Sequence, residues 1–386
     1  MKTLVSIFLR LLLLCVLGVQ LLVSAAETNT AANLYLIRQK DKFGFADRNG
    51  KVVIEPQFYR ASPFKDGMAW IQVDGGRGFI DQSGKIVVQP RFVAADDFSD
   101  GLAAVTLDGE NWGYVDKSGV VVIKPQFTVP RYFDGPPINN TDGRFAETVA
   151  YVQGTNQSGY INKTGNFVIR LGLGPHWPPL VQGYPFSEGL AFVTLNGNRN
   201  GHSVQTNGYI DKSGKVVIAG DFDWGGVFSG GVAAVGSKGK TGFIDKNGRW
   251  LKLPAYQQGY FPDEGFSEGL LYLMEKQGDV YKIGFVNQSG EIVIPFKFDG
   301  ARNFSEGLAE ACEGNPRDLS GKWGYINKKG EWVIPPRFTN TRAFSEGLAI
   351  VEVGGRWERR SIMRTLHDSK WALIDRTGKY VWGPSE

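Results

Sequence analysis

The stretch KWGYINKKGEWVIPPRF (322–338) reads as a strand, a turn and a second strand, and the chain writes it again with small changes as NWGYVDKSGVVVIKPQF (111–127) and KFGFADRNGKVVIEPQF (42–58). Aligning such stretches gives a glycine present in every unit: Gly50, Gly84, Gly119, Gly165, Gly214, Gly248, Gly290, Gly330 and Gly378. Three residues before each stands an acid or amide: Asp47, Asp81, Asp116, Asn162, Asp211, Asp245, Asn287, Asn327 and Asp375. A carboxylate or amide that binds nearby backbone N–H groups, followed by a glycine free to take positive φ, is what a tight turn between antiparallel strands requires. The flanking residues, such as Trp323-Gly324-Tyr325-Ile326 and Trp332-Val333-Ile334, are aromatic and β-branched, as strands prefer. The pattern predicts a β-hairpin written nine times. Pro56, Pro90, Pro125, Pro295 and Pro335 are expected to end its second strand, because proline gives no N–H to the ladder.

A second motif follows each hairpin after a loop. It is FSEGLA from Phe186, Phe304 and Phe344, with variants FKDGMA from Phe64, FSDGLA from Phe98, FSGGVA from Phe228, FSEGLL from Phe266, and FAETVA from Phe145. It opens a third strand such as 348–353, so each unit reads as a three-stranded antiparallel meander. About nine of them occupy 34–382. The interval from Gly44 to its counterpart Ala372 is 328 residues over eight steps, 41 on average, with single steps from 34 to 49. The strands are apolar on both faces, and a sheet of that kind must be covered on both sides. Stacked meanders achieve this either as a propeller-like ring or as an open superhelical β-solenoid. The unequal spacing favours the open form. The glycine of each Trp-Gly pair is expected to let a neighbouring ring or backbone approach closely.

With these motifs the chain resembles the bacterial WG-repeat proteins, named for the pair seen here as Trp112-Gly113 and Trp323-Gly324. The resemblance covers nearly the whole array and implies an exported protein that mediates interactions. Departures from the pattern fall on the tryptophan, replaced by Phe43, Arg77, Ser158, Asn207, Thr241 and Ile283, and on the last unit, which has Trp371-Ala372. The turn positions hold.

The first 26 residues read as a secretory signal peptide: Lys2 and Arg10 begin it, 11–23 is almost wholly apolar, and Val23-Ser24-Ala25-Ala26 offers small residues for cleavage. The apolar run is shorter than the roughly 20 residues a membrane-spanning helix needs. Residues 27–33 form a short linker, and 34–386 form a single repeat domain with an extracytoplasmic, secreted or periplasmic, destination. Removing the leader lowers the formal charge from +4 to +2, so net charge does not draw the chain to nucleic acid. It also leaves Cys312 as the one cysteine, which excludes an intramolecular disulfide framework.

No catalytic, cofactor or metal site is expected. The Asp/Asn positions supply one acid per turn, too few for calcium. His176, His202 and His367 lack the spacing of a zinc set. Glu188, Glu268, Glu306 and Glu346 could pair as a glycosidase's two carboxylates, but the repeat template writes them several times, and they read as solvated turn residues. No nucleophile motif surrounds Cys312. The expected function is a scaffold for a protein partner, with recognition of cell-envelope glycan through exposed aromatics as the alternative and an envelope hydrolase as a lesser one.

Binding is expected in the insertions that break the period. Residues 128–144 and 171–185 carry Tyr132, Trp177 and Tyr184, and 196–205 is polar and reads as mobile. Residues 354–370 carry Arg356, Trp357, Arg359, Arg360, Arg364 and Lys370 against Glu358 and Asp368. This positive excess suits an acidic partner, although a solvated hairpin extension is the plainer reading. For the glycan reading, exposure of Trp177, Trp224 or Trp357 decides.

Overall fold

A computed structural model describes residues 33–128, 143–154, 157–172, 182–199, 202–251, 265–316, 320–360 and 363–384. The chain divides into two compact units, 1–33 and 34–386. The expected leader and all of the linker except Asn33 lie outside the described residues. The second unit contains nine small antiparallel sheets, the blades of a β-propeller. They occupy 35–58, 60–92, 94–127, 150–172, 182–220, 224–245, 270–298, 300–338 and 340–382, here blades 1 to 9.

Each full blade has four strands, a to d in chain order, rather than the three expected. The additional one is strand a, which is two residues long in blades 2, 3, 5, 6 and 9, for example Arg60–Ala61 and Asn340–Thr341. Blade 1 has strands b to d only. A two-residue strand leaves no alternation to read in a sequence.

Strand d corrects a second expectation. It does not stop at its proline but runs on to a phenylalanine two or three residues later, as in Val52–Phe58 and Trp332–Phe338. Pairing of c with d skips two residues: Trp323 faces Phe338, yet Tyr325 faces Ile334. The proline sits in this bulge, where its missing N–H costs the ladder nothing. The bulge also explains the glycine of the Trp-Gly pair, since a Cβ on Gly324 would lie 2.3 Å from the Ile334 carbonyl oxygen. In blade 9 strand d ends at Trp382, so no such bulge forms opposite Ala372.

The blades pack through aromatic pairs. The motif phenylalanine of one blade meets the strand c aromatic of the blade before it, from Phe45–Phe64 through Tyr325–Phe344, with ring centroids 4.7–5.1 Å apart at eight successive interfaces. These rings are buried, apart from Phe64, which is partly so, and offset or edge contacts are the favoured aromatic geometry.

The ninth interface closes the ring. Phe43 of blade 1 packs edge-on against Trp371 of blade 9 at 5.6 Å, and Ile37 and Ala46 share a buried cluster with Leu348 and Leu373. The Tyr35 hydroxyl donates to the Glu346 carbonyl at 2.9 Å. The unequal spacing that favoured an open array is absorbed in loops and in the lengthened b–c hairpins of blades 5 and 9, so it says nothing about closure. Closure needs no exchanged strand, because every sheet is built from one continuous stretch of chain.

Candidate interaction surface

Because strands alternate in direction, the a–b and c–d turns lie at one end of every blade, and the b–c turns and d-to-a crossings lie at the other. The first end is constant. Six residues separate strand a from strand b in blades 2, 3, 5, 6 and 9, and every c–d turn has one form. In it the Asp or Asn Oδ1 accepts the N–H groups two and four residues on, as Asp211 does from Ser213 at 2.9 Å and Lys215 at 3.1 Å. All nine turn glycines have φ between 75° and 84°. Eight of them, Gly50 at the closing interface included, also lie against the preceding blade: a Cβ on Gly330 would meet Ile294 Cγ2 at 2.6 Å.

The a–b turns at this end are not merely solvated. Each is a two-residue reversal in which Ser99 N–H donates to Leu102 C=O and Leu102 N–H donates back, with both central residues at positive φ: 53° at Asp100 and 82° at Gly101. Positive φ is strained for an acidic side chain, and the hydrogen bonds explain why it is held. The carboxylate of one blade accepts N–H groups from the same turn of the next. Gly101 donates to Asp66 at 2.8 Å, Thr148 to Asp100 at 2.9 Å, Gly230 to Glu188 at 2.6 Å, Gly307 to Glu268 at 3.0 Å and Gly347 to Glu306 at 2.8 Å. The motif serine adds a parallel link: Ser187 Oγ donates to Phe228 C=O and Ser267 Oγ to Phe304 C=O. A basic residue from the c–d turn of the next blade completes the stations of Glu147, Glu188, Glu268 and Glu306, as Lys246 does on Glu188 at 3.0 Å and Lys328 on Glu268 at 3.1 Å.

Partial burial works against ionising Glu188. The Lys246 ammonium and the N–H groups of Gly231 and Gly230 outweigh it and hold the carboxyl below its usual range. Sequence reasoning recognised these acids but missed their role, because it could not know that successive turns face one another across a ring. They form a belt that ties blade to blade. Burial, meanwhile, pushes the Cys312 thiol up to about 12, so it is not poised as a nucleophile.

The other end carries all the variation in length. Blades 1 and 2 turn from b to c in two residues, whereas blade 9 extends both strands to thirteen, Leu348–Arg360 and Met363–Asp375. Blade 5 extends them to ten, Leu190–Arg199 and His202–Asp211; the stretch read as mobile is a continuation of this hairpin, paired as far as Arg199 with His202. Between them, the first expected insertion falls mainly at the crossing from blade 3 to blade 4, and the second at that from blade 4 to blade 5.

The expected binding residues of the last insertion therefore lie at this end. Arg356, Trp357, Arg359, Arg360 and Arg364 lie on the projecting hairpin of blade 9, whose backbone register sets Arg359 opposite Arg364. At its base a cleft of about 320 Å³ separates it from the Lys40–Asp41 turn of blade 1, lined by Arg38, Lys40, Asp41, Asp368 and Lys370. Tyr184 is half-buried, its ring 5.6 Å from Phe192. Tyr132 and Trp177 lie outside the described residues. Trp224 is half-buried over Gly236, where a Cβ would lie 2.1 Å from its Nε1, so it offers no open platform to a sugar. Among the described residues no group of three or more His, Cys, Asp or Glu side chains is placed to hold a metal, and no helix is long and apolar enough to cross a membrane.

A closed nine-bladed ring, constant at one end and elaborated at the other, defines a repeat scaffold of the propeller class. The chain belongs to the WG-repeat family: the WG containing repeat matches 43–76, 78–110, 112–133, 208–240, 283–315 and 323–357. No curated protein matches it. Among solved structures, the crystal structure of the eukaryotic initiation factor is similar at a TM-score of 0.61 and 12% identity over 91% of this chain and 95% of that one, a likeness of fold. Prolyl oligopeptidase B from Galerina marginata aligns at a TM-score of 0.41 and 11% identity, over 84% of this chain and 50% of its own.

Proposed function

We propose that the protein is an exported, non-catalytic scaffold that holds a protein partner on the elaborated end of its ring. One observation carries this reading. Nine copies of one template keep their turns at one end and vary them only at the other, and loops projecting from a rigid repeat scaffold are where such proteins build binding surfaces. The positive excess of the blade 9 hairpin suits an acidic surface on the partner, which would bind faster at low ionic strength. Export follows from the reading of residues 1–26 as a signal peptide. The engagement of the repeat acids between blades supports a non-catalytic role.

The test is to excise 356–367 and rejoin the strands through a two-residue turn, as in blade 2. Envelope proteins captured by this variant are compared with those captured by the parent and by Lys328→Gln, which alters the constant end. Loss of a partner from the excised chain alone, with an unchanged melting profile, is the expected result. A partner lost with Lys328→Gln and kept by the excised chain would place binding at the wrong end.

A further inference from the structure

Eight blades set an apolar residue at the middle of strand b, facing the strand c aromatic or, in blade 9, Leu373: Leu36, Trp70, Ala104, Tyr151, Phe192, Ala234, Tyr272 and Ile350. Blade 8 sets Glu310 there, opposite Tyr325 and 2% exposed. Burying a carboxylate is costly even when it is paired, and an apolar residue of similar volume is often as stable or more so. The repeat template does not call for this acid.

Around Glu310 lies a cavity of about 590 Å³ between the a strands of blades 8 and 9, within the range of small-molecule sites. Its polar wall is built in layers. Arg302 bridges Glu310 at 3.2 Å, donates to the Thr341 carbonyl at 2.6 Å and to Asn340 Oδ1 at 3.2 Å, and lies 4.4 Å over the Trp323 ring. Arg342 occupies the equivalent place in blade 9, two residues before the motif phenylalanine. It stands at 5.8 Å over Trp371 with no carboxylate partner among the described residues. The Thr341 hydroxyl, also in the wall, is 1% exposed and has no hydrogen-bond partner; the Tyr325 hydroxyl donates instead to the Arg342 carbonyl. Two guanidinium groups against one carboxylate leave one positive charge unmatched.

We propose that this cavity binds a small hydroxylated monocarboxylate, of the sugar-acid type, with Arg342 taking the carboxylate and Asn340, Thr341 and Glu310 taking hydroxyl groups. The planar fork of an arginine suits a carboxylate, and the single unmatched charge selects a monoanion over a dianion. The Thr341 hydroxyl, deep in the wall, would be left unpaired by an unsubstituted acid, which is how a polar site rejects one.

Titration calorimetry on the full chain tests this with D-galacturonate, D-gluconate, lactate, D-galactose and inorganic phosphate. Saturable binding of galacturonate or gluconate is expected, with lactate at least tenfold weaker and no heat from galactose. Arg342→Gln, at an exposed position, should weaken binding at least tenfold without changing the melting profile. The double variant Arg302→Met with Glu310→Leu should melt no lower than the parent and fail to bind. No binding of either sugar acid, equal binding of phosphate, or unchanged affinity in Arg342→Gln would overturn the proposal. So would unfolding of the double variant, because the ion pair would then be serving the fold.

Discussion

At the scale of single residues, two glycines in each template do different work. The turn glycine takes positive φ and makes room for the preceding blade, whereas the Trp-Gly glycine makes room for a bulge in its own sheet. Gly324→Ala would drive a methyl against backbone, which cannot yield as a side chain can, and should cost about 2–4 kcal/mol in urea unfolding. Ala372→Gly, at the same template place but without a bulge opposite, should cost about 0.5–1 kcal/mol through backbone entropy alone. Equal costs at the two sites would contradict the bulge explanation. The need for a small residue was legible in the sequence. What crowds it was not, because the bulge depends on how c and d register.

At the scale of elements, the c–d turn has run its own mutational series. Ser83 and the other hydroxyl donors hold Asp81, Asp116, Asp211 and Asp375 below the usual carboxylate range, with Thr377 serving Asp375. In Asp245 the Arg249 N–H leads. A depressed folded pKa means that stability is fully present above the unfolded value, about 3.9, and is lost as pH falls through the folded one. Blades 4, 7 and 8 keep the turn with Asn162, Asn287 and Asn327, whose Oδ1 accepts the same N–H groups. Changing Asp81, Asp116, Asp211 and Asp375 together to Asn should therefore flatten the fall of the denaturation midpoint below about pH 4 while leaving it little changed at neutrality. An unaltered acid slope would mean that these turns do not carry it. Hairpins were the most legible elements, since turn residue and strand composition recur together. The a strands were not, and neither was the belt, because a Ser-Glu-Gly turn reads as a surface turn until its neighbour in the next blade is known.

At the scale of the molecule, period and count were written in the sequence but closure was not. Eight interfaces share one aromatic pairing that could be inferred from the template. The ninth is made by residues that depart from it: Phe43 in place of the Trp of the Trp-Gly pair, Trp371 before Ala372, and Tyr35 in a blade without its own a–b turn. Gly50, however, meets the Val381 carbonyl across this seam, as seven other turn glycines meet the blade before them. The seam is thus a true blade interface. It also sits under the blade 9 hairpin, so the account of a rigid ring presenting one elaborated end depends on it.

The most direct measurement is amine cross-linking of the monomer with a short reagent, read by mass spectrometry for the pair Lys40 and Lys370, which line the same cleft. A closed ring predicts an abundant intramolecular link between these residues, far apart in the chain. An open superhelix holds its first and last units apart, and absence of that link, with neighbouring-blade links present, would contradict the account.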